Sequence, residues 1–60
     1  SMSKAQTMKL TLTKQAKGWA YVWRRSCSGA VIAEGWTRGT KREGREEADR
    51  HLRDWLQERR

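Results

Sequence analysis

Apolar and polar residues alternate from Met8 through Leu10 and Leu12, with Lys9, Thr11, Thr13 and Lys14 at the intervening and closing positions. A period of two marks a strand buried on one side, and the β-branched threonines favour it, so a strand is predicted over Met8 to Lys14. Gln15-Ala16-Lys17-Gly18 follows as a turn ending in glycine. Trp19-Ala20-Tyr21-Val22-Trp23-Arg24-Arg25 is rich in aromatic and β-branched side chains that fit a pleated surface, and predicts a second strand. Ser26-Cys27-Ser28-Gly29 makes the next turn, and Ala30 to Thr37 predicts a third strand. Connections this short join antiparallel neighbours most simply, which gives a meander.

The period then changes. Thr40 and Glu43 have the spacing of a capping box, in which each side chain satisfies a free backbone N–H at a helix start. Beyond it Gly44, Ala48, Leu52, Trp55 and Leu56 recur at steps of four and three, with charged residues between them, so a helix is predicted to about Glu58. Gly44 weakens that helix, and a close approach of its first turns to the sheet would give the glycine a reason. Leu52, Trp55 and Leu56 are expected to supply bulk further along. The predicted fold is α+β, a three-stranded antiparallel meander with one C-terminal helix packed on one face (βββα). Residues 8–60 are expected to form this single domain behind a disordered N-terminal tail of residues 1–7. A chain of 60 residues has room for one core only.

Trp19, Tyr21 and Trp23 share one face of the second strand, and the following turn decides what lies beside them. A three-residue loop, Cys27-Ser28-Gly29 with Gly29 left-handed, sets the rings next to Val31, Ala33 and Gly35, large against small, as helix packing requires. A loop of two or four residues groups them instead with Ile32, Glu34 and Trp36. The rings are then either core beneath the helix or a platform on which bases stack. If they are core, Ala20, Val22, Ile32 and Trp36 fall on the opposite face with Arg24 and Glu34. So apolar a patch invites self-association, and Val22, Ile32 and Trp36 are candidate interface residues for a homodimer or a protein partner.

Composition narrows the chemistry. No apolar stretch approaches the roughly 20 residues of a membrane span, so no membrane partner is expected. Residues 1–7 carry no hydrophobic signal segment, and Ser1 ahead of Met2 reads as a cloning remnant. With Cys27 the lone cysteine, a free thiol in a reducing cytoplasm is expected. Every acid but Glu34 lies from residue 40 onward on the charged helix, so no paired carboxylate is available in a protected pocket and no catalytic residue is assigned. His51 borders the apolar stripe and reads as a packed helix histidine, and one cysteine with one histidine falls short of a zinc ligand set. Ser26 and Ser28 read as turn formers. The expectation is a non-enzymatic domain with no cofactor, no metal and no small-molecule substrate.

The formal charge of +7 is unevenly spread. Residues 1–39 carry seven basic side chains against Glu34 alone, whereas residues 40–60 carry seven basic against six acidic. A polyanion would therefore be drawn mainly to the strands and loops. Between Gly35 and Arg45 a strand end meets a capped helix start, and Lys41, Arg42 and Arg45 add cations to the N–H groups and positive dipole end there, an arrangement suited to phosphate. The plain alternative is a solvated helix start whose bases pair with Glu46 and Asp49.

From Val31 to Leu56 the chain resembles the C-terminal half of a double-stranded RNA-binding domain, through Gly35, the Thr40 cap, Lys41-Arg42, Gly44 and Arg45. That resemblance implies phosphate contacts from Lys41, Arg42 and Arg45 across the major groove, with the loop around Ser26 to Ser28 reaching a neighbouring minor groove. The family's first helix has no counterpart in residues 1–7, and its small residue is usually alanine. In topology the whole chain is also similar to the arm-type DNA-binding domain of tyrosine recombinases, with a Gly-Trp opening of the second strand and a Thr-Lys-Arg-Glu helix start. This second likeness implies a sheet entering the major groove of DNA, with Arg24, Arg25, Arg38 and Trp36 at the contact surface. The expected partner is thus double-stranded nucleic acid, DNA or RNA, met through Arg24, Arg25, Arg38, Lys41, Arg42 and Arg45. A free-standing module of this kind would serve as an accessory or regulatory protein of a phage or plasmid. The rival expectation is a small inhibitor or adaptor acting through Val22, Ile32 and Trp36.

Overall fold

The computed structural model describes residues 8–58, so the expectation of a disordered tail over residues 1–7 lies outside the described residues. Strands β1 (Met8–Lys14), β2 (Gly18–Arg25) and β3 (Val31–Arg38) form one antiparallel sheet in the order β1-β2-β3, and helix α1 (Lys41–Glu58) follows. This is the βββα fold read from the alternating pattern, with β2 opening one residue earlier and β3 starting and ending one residue later than the sequence reading placed them.

The aromatic face is set by two one-residue departures that cancel. Arg25 N donates to the Ala30 carbonyl at 2.9 Å and Gly29 N to the Arg25 carbonyl at 2.8 Å, closing a four-residue loop with Gly29 at φ 77°. The three-residue loop is therefore not what forms. A four-residue loop alone would place Trp23 beside Ile32, yet the register shifts between Trp23 and Arg24: Arg24 faces Val31 while Trp23 faces Ala33. Ile32 is left over as a β-bulge, which restores the register by one residue. Tyr21 consequently lies opposite Gly35, and the large-against-small match is achieved by a different route.

Helix α1 starts where the capping box predicts. Thr40 N donates to Glu43 Oε1 at 2.8 Å and Glu43 N to Thr40 Oγ1 at 3.2 Å. Gly44 and Ala48 are the buried helix residues. A Cβ on Gly44 would stand 3.0 Å from the Trp19 Cβ, so the absent side chain lets the first turns lie close on the sheet, as the sequence suggested. Trp23 Nε1 donates to the Ala48 carbonyl at 2.8 Å, which pairs the indole's only polar atom inside the core. The buried cluster is Tyr21, Trp23, Ala33 and Ala48, with Met8, Leu10, Leu12, Ile32 and Leu52 half-buried around it. Leu56, expected in the apolar stripe, is 43 % exposed. Its neighbour Trp55 instead sits against Arg25, the last residue of β2. No helix among the described residues is long and apolar enough to cross a membrane.

Candidate nucleic-acid interface

The helix covers one side of the sheet only, and the register assigns each cation to a side. Residues alternate faces along a strand, so Lys9 and Arg24, which are Cα partners, share the uncovered face with Val22, Glu34, Trp36 and Arg38. Three cross-strand rows cross this face: Lys9 with Arg24 and Val31, Thr11 with Val22 and Glu34, Thr13 with Ala20 and Trp36. Arg38, opposite Gly18, closes the far end. At about 3.3 Å per residue, Arg24 and the β2 partner of Arg38 stand roughly 20 Å apart along the strand. An apolar centre of Ala20, Val22 and Trp36 is thus held between cationic ends.

Trp36 is 51 % exposed, the largest apolar surface offered to solvent on this face. Arg24 Nη1 donates to the Gly29 carbonyl at 3.1 Å, which ties its guanidinium to the hairpin tip. Neither Lys9 nor Arg38 has an acidic partner among the described residues. Glu34 is the single acid on the face.

The remaining predicted contacts lie on the helix side and are engaged there. Arg25 stands over the Trp55 ring at 6.0 Å, and Lys41 over Trp19 at 5.5 Å, with Lys14 at 5.6 Å from the same indole. Arg42 pairs with Glu46 at 3.7 Å and Arg45 with Asp49 at 3.9 Å, both as i,i+4 neighbours. These are the pairs of the plain helix-start reading. Both are loose and solvent-exposed, with worth of about 0.3–0.5 kcal/mol each, so they temper the cations at the helix start without locking them. The six residues assigned to nucleic acid therefore do not make one surface. Arg24 and Arg38 lie on the open face, whereas Arg25, Lys41, Arg42 and Arg45 belong to the other side.

Lys9 is the open-face cation that sequence reasoning missed. Its polar place in the β1 alternation already assigned it to the side away from Met8, Leu10 and Leu12. Pairing it with Arg24 required the register of a hairpin whose closure, Gln15 N donating to the Gly18 carbonyl at 2.9 Å, only the structure supplies. Of the interface candidates, Val22 and Trp36 remain on the open face, while Ile32, the bulged residue, packs against the buried cluster.

His51 is half-buried, and its Nδ1 lies 2.8 Å from Tyr21 Oη with the two rings edge to face. Burial pushes the Tyr21 phenol up, Glu47 adds to the rise, and Arg50 opposes it. Among the described residues no three His, Cys, Asp or Glu side chains converge on a point that could hold a metal. Cys27 is a free, exposed thiol in the turn. Comparison of the chain with protein-family models, with curated proteins and with solved structures finds no match, so the reading of this face rests on its own geometry.

Proposed function

We propose that the chain is a non-enzymatic module that binds duplex DNA by laying its open sheet face into the major groove. The observation that carries this reading is the uncovered face itself, with Lys9, Arg24 and Arg38 unpaired by acids among the described residues around an exposed Trp36. Three strands about 4.8 Å apart make a backbone ribbon roughly 10 Å wide, close to the roughly 12 Å of the B-form major groove. The deep, narrow major groove of A-form RNA excludes such a sheet, which favours DNA of the two polyanions. Lys9, Arg24 and Arg38 contact phosphates, and Trp36 and Val22 supply apolar surface for thymine methyl groups. Lys41, Arg42 and Arg45 add a secondary field from the helix start. With no catalytic group assigned, the role is accessory or regulatory.

Titration against a DNA duplex at several salt concentrations tests this. Three phosphate contacts predict a loss of affinity of about 40-fold between 50 and 200 mM salt, falling to about 3.5-fold for the Arg24→Ala/Arg38→Ala variant. Absence of duplex binding at the lowest salt would discard the proposal.

A second reading draws on the same exposed Trp36 and on Val31, 48 % exposed. In it the open face grips a protein partner or a second copy through Val22 and Trp36. Its binding would be insensitive to salt, and Trp36→Ala would dissociate a dimer seen by sedimentation.

A further inference from the structure

One side chain on the open face runs against the charge of its surroundings. Glu34 is exposed, and it is the single acid among the cations there. It stands midway along β3 in the row with Thr11 and Val22, so its lateral neighbours carry no charge. Arg24, one row away, gives its Nη1 to the Gly29 carbonyl, and Arg38 lies further along β3, roughly 13 Å off at about 3.3 Å per residue. Among the described residues Glu34 has no ion pair and no side-chain hydrogen bond.

An unpaired carboxylate weakens a duplex-binding surface in two ways. It repels the phosphates, and inside the groove it loses its water. Only a hydrogen-bond donor offsets that loss. Under the DNA reading the cationic ends of the face, Lys9 with Arg24 and Arg38, meet phosphates, which sets the middle of the sheet and Glu34 over base edges. An ionised carboxylate accepts hydrogen bonds and donates none, so in the major groove only cytosine and adenine offer it a partner, through their N4 and N6 amino groups. The adenine amino group lies between two acceptors, its own N7 and thymine O4. That of cytosine has guanine O6 on one side and a C5–H on the other, so it receives a carboxylate with less repulsion.

We infer that Glu34 is the specificity-determining residue of this face, accepting from the N4 amino group of a cytosine and so selecting duplexes that carry a C·G pair at that position. This role rests on the DNA reading, which it deepens from phosphate contact to base readout. Guanine or thymine in place of the cytosine presents acceptors to the carboxylate, N7 with O6 or O4, and leaves it both dry and unpaired. The plain alternative is an acid that only keeps the β3 edge from pairing with another sheet. Such an acid would repel every duplex equally, whatever its sequence.

The test mixes the whole chain at low salt with a library of DNA duplexes randomised over about ten base pairs, one helical turn, and sequences those retained. The unsubstituted chain is expected to enrich cytosine at one position, and changing that C·G pair to any other to weaken binding about tenfold in a titration. Glu34→Ala should bind the four resulting duplexes within about twofold of one another. Glu34→Gln should raise adenine to the level of cytosine or above it, since N6 and N7 together suit a side-chain amide. Position 34 is exposed, so both variants should melt with the unsubstituted chain. Salt-sensitive retention of duplexes with no cytosine preference, or a cytosine preference that survives in Glu34→Ala, would overturn this role and leave the DNA reading standing. So would a Glu34→Ala variant that tightens binding to all four duplexes by the same factor. Retention of no duplex at the lowest salt would remove both.

Discussion

The two sides of this sheet use the same residue types to opposite ends. On the covered side an indole is closed over by the helix, its N–H given to the Ala48 carbonyl and its ring set against Ala33. On the open side Trp36 stands half in solvent beside Ala20, with arginines at either end. Neighbours, and not the tryptophan itself, decide which ring stabilises and which is available for contact. Small residues at 33, 35, 44 and 48 draw the helix down, and no such partners face Trp36.

Substitutions on each side should separate the two roles. Trp23→Ala removes a buried ring and leaves a cavity, with an expected loss of about 3–5 kcal/mol that would unfold so small a domain in a thermal or urea melt. Gly35→Ala comes next. A Cβ there would stand 2.5 Å from Tyr21 Oη, and forcing the buried ring aside should cost about 1–3 kcal/mol by the same melt. Tyr21→Phe keeps the ring but deprives His51 Nδ1 of its partner, for about 1 kcal/mol. It also flattens the alkaline limb. The folded phenol lies above its ordinary 10.0, so its contribution is fully present below pH 10 and lost as pH rises through the folded value. Trp36→Ala should change stability by less than about 0.5 kcal/mol while weakening duplex binding in a titration. A Trp36→Ala melt as damaging as that of Trp23→Ala would erase the contrast between the faces.

Much of this architecture could be read directly from the chain. Strand spacing, the Thr40–Glu43 cap and the Gly44–Ala48 stripe are local signals, and each became the element it announced. Loop chemistry was less informative, because Ser26 to Gly29 suits both a three- and a four-residue turn, and nothing in the run from Val31 to Glu34 marks Ile32 as the bulge. Cation placement depended on that register. Arg24 and Arg25 are adjacent in sequence yet face opposite ways, one toward Gly29 at the hairpin tip and one onto Trp55. A groove lined by Met8, Leu10 and Leu12 of β1 and by Lys41 and Arg45 of the helix was not legible at all, since it arises from the sideways position of the helix over the sheet.

Ile32 has a consequence for how this hairpin tolerates changes in length. Because the long turn and the spare residue offset each other in parity, removing Ile32 would leave Arg25 opposite Ala30 and Trp23 opposite Ala33 in an unbroken ladder. A one-residue deletion, ordinarily ruinous inside a strand, would at this position straighten β3 without turning the aromatic face outward, at the cost of the packing that Ile32 makes against the buried cluster.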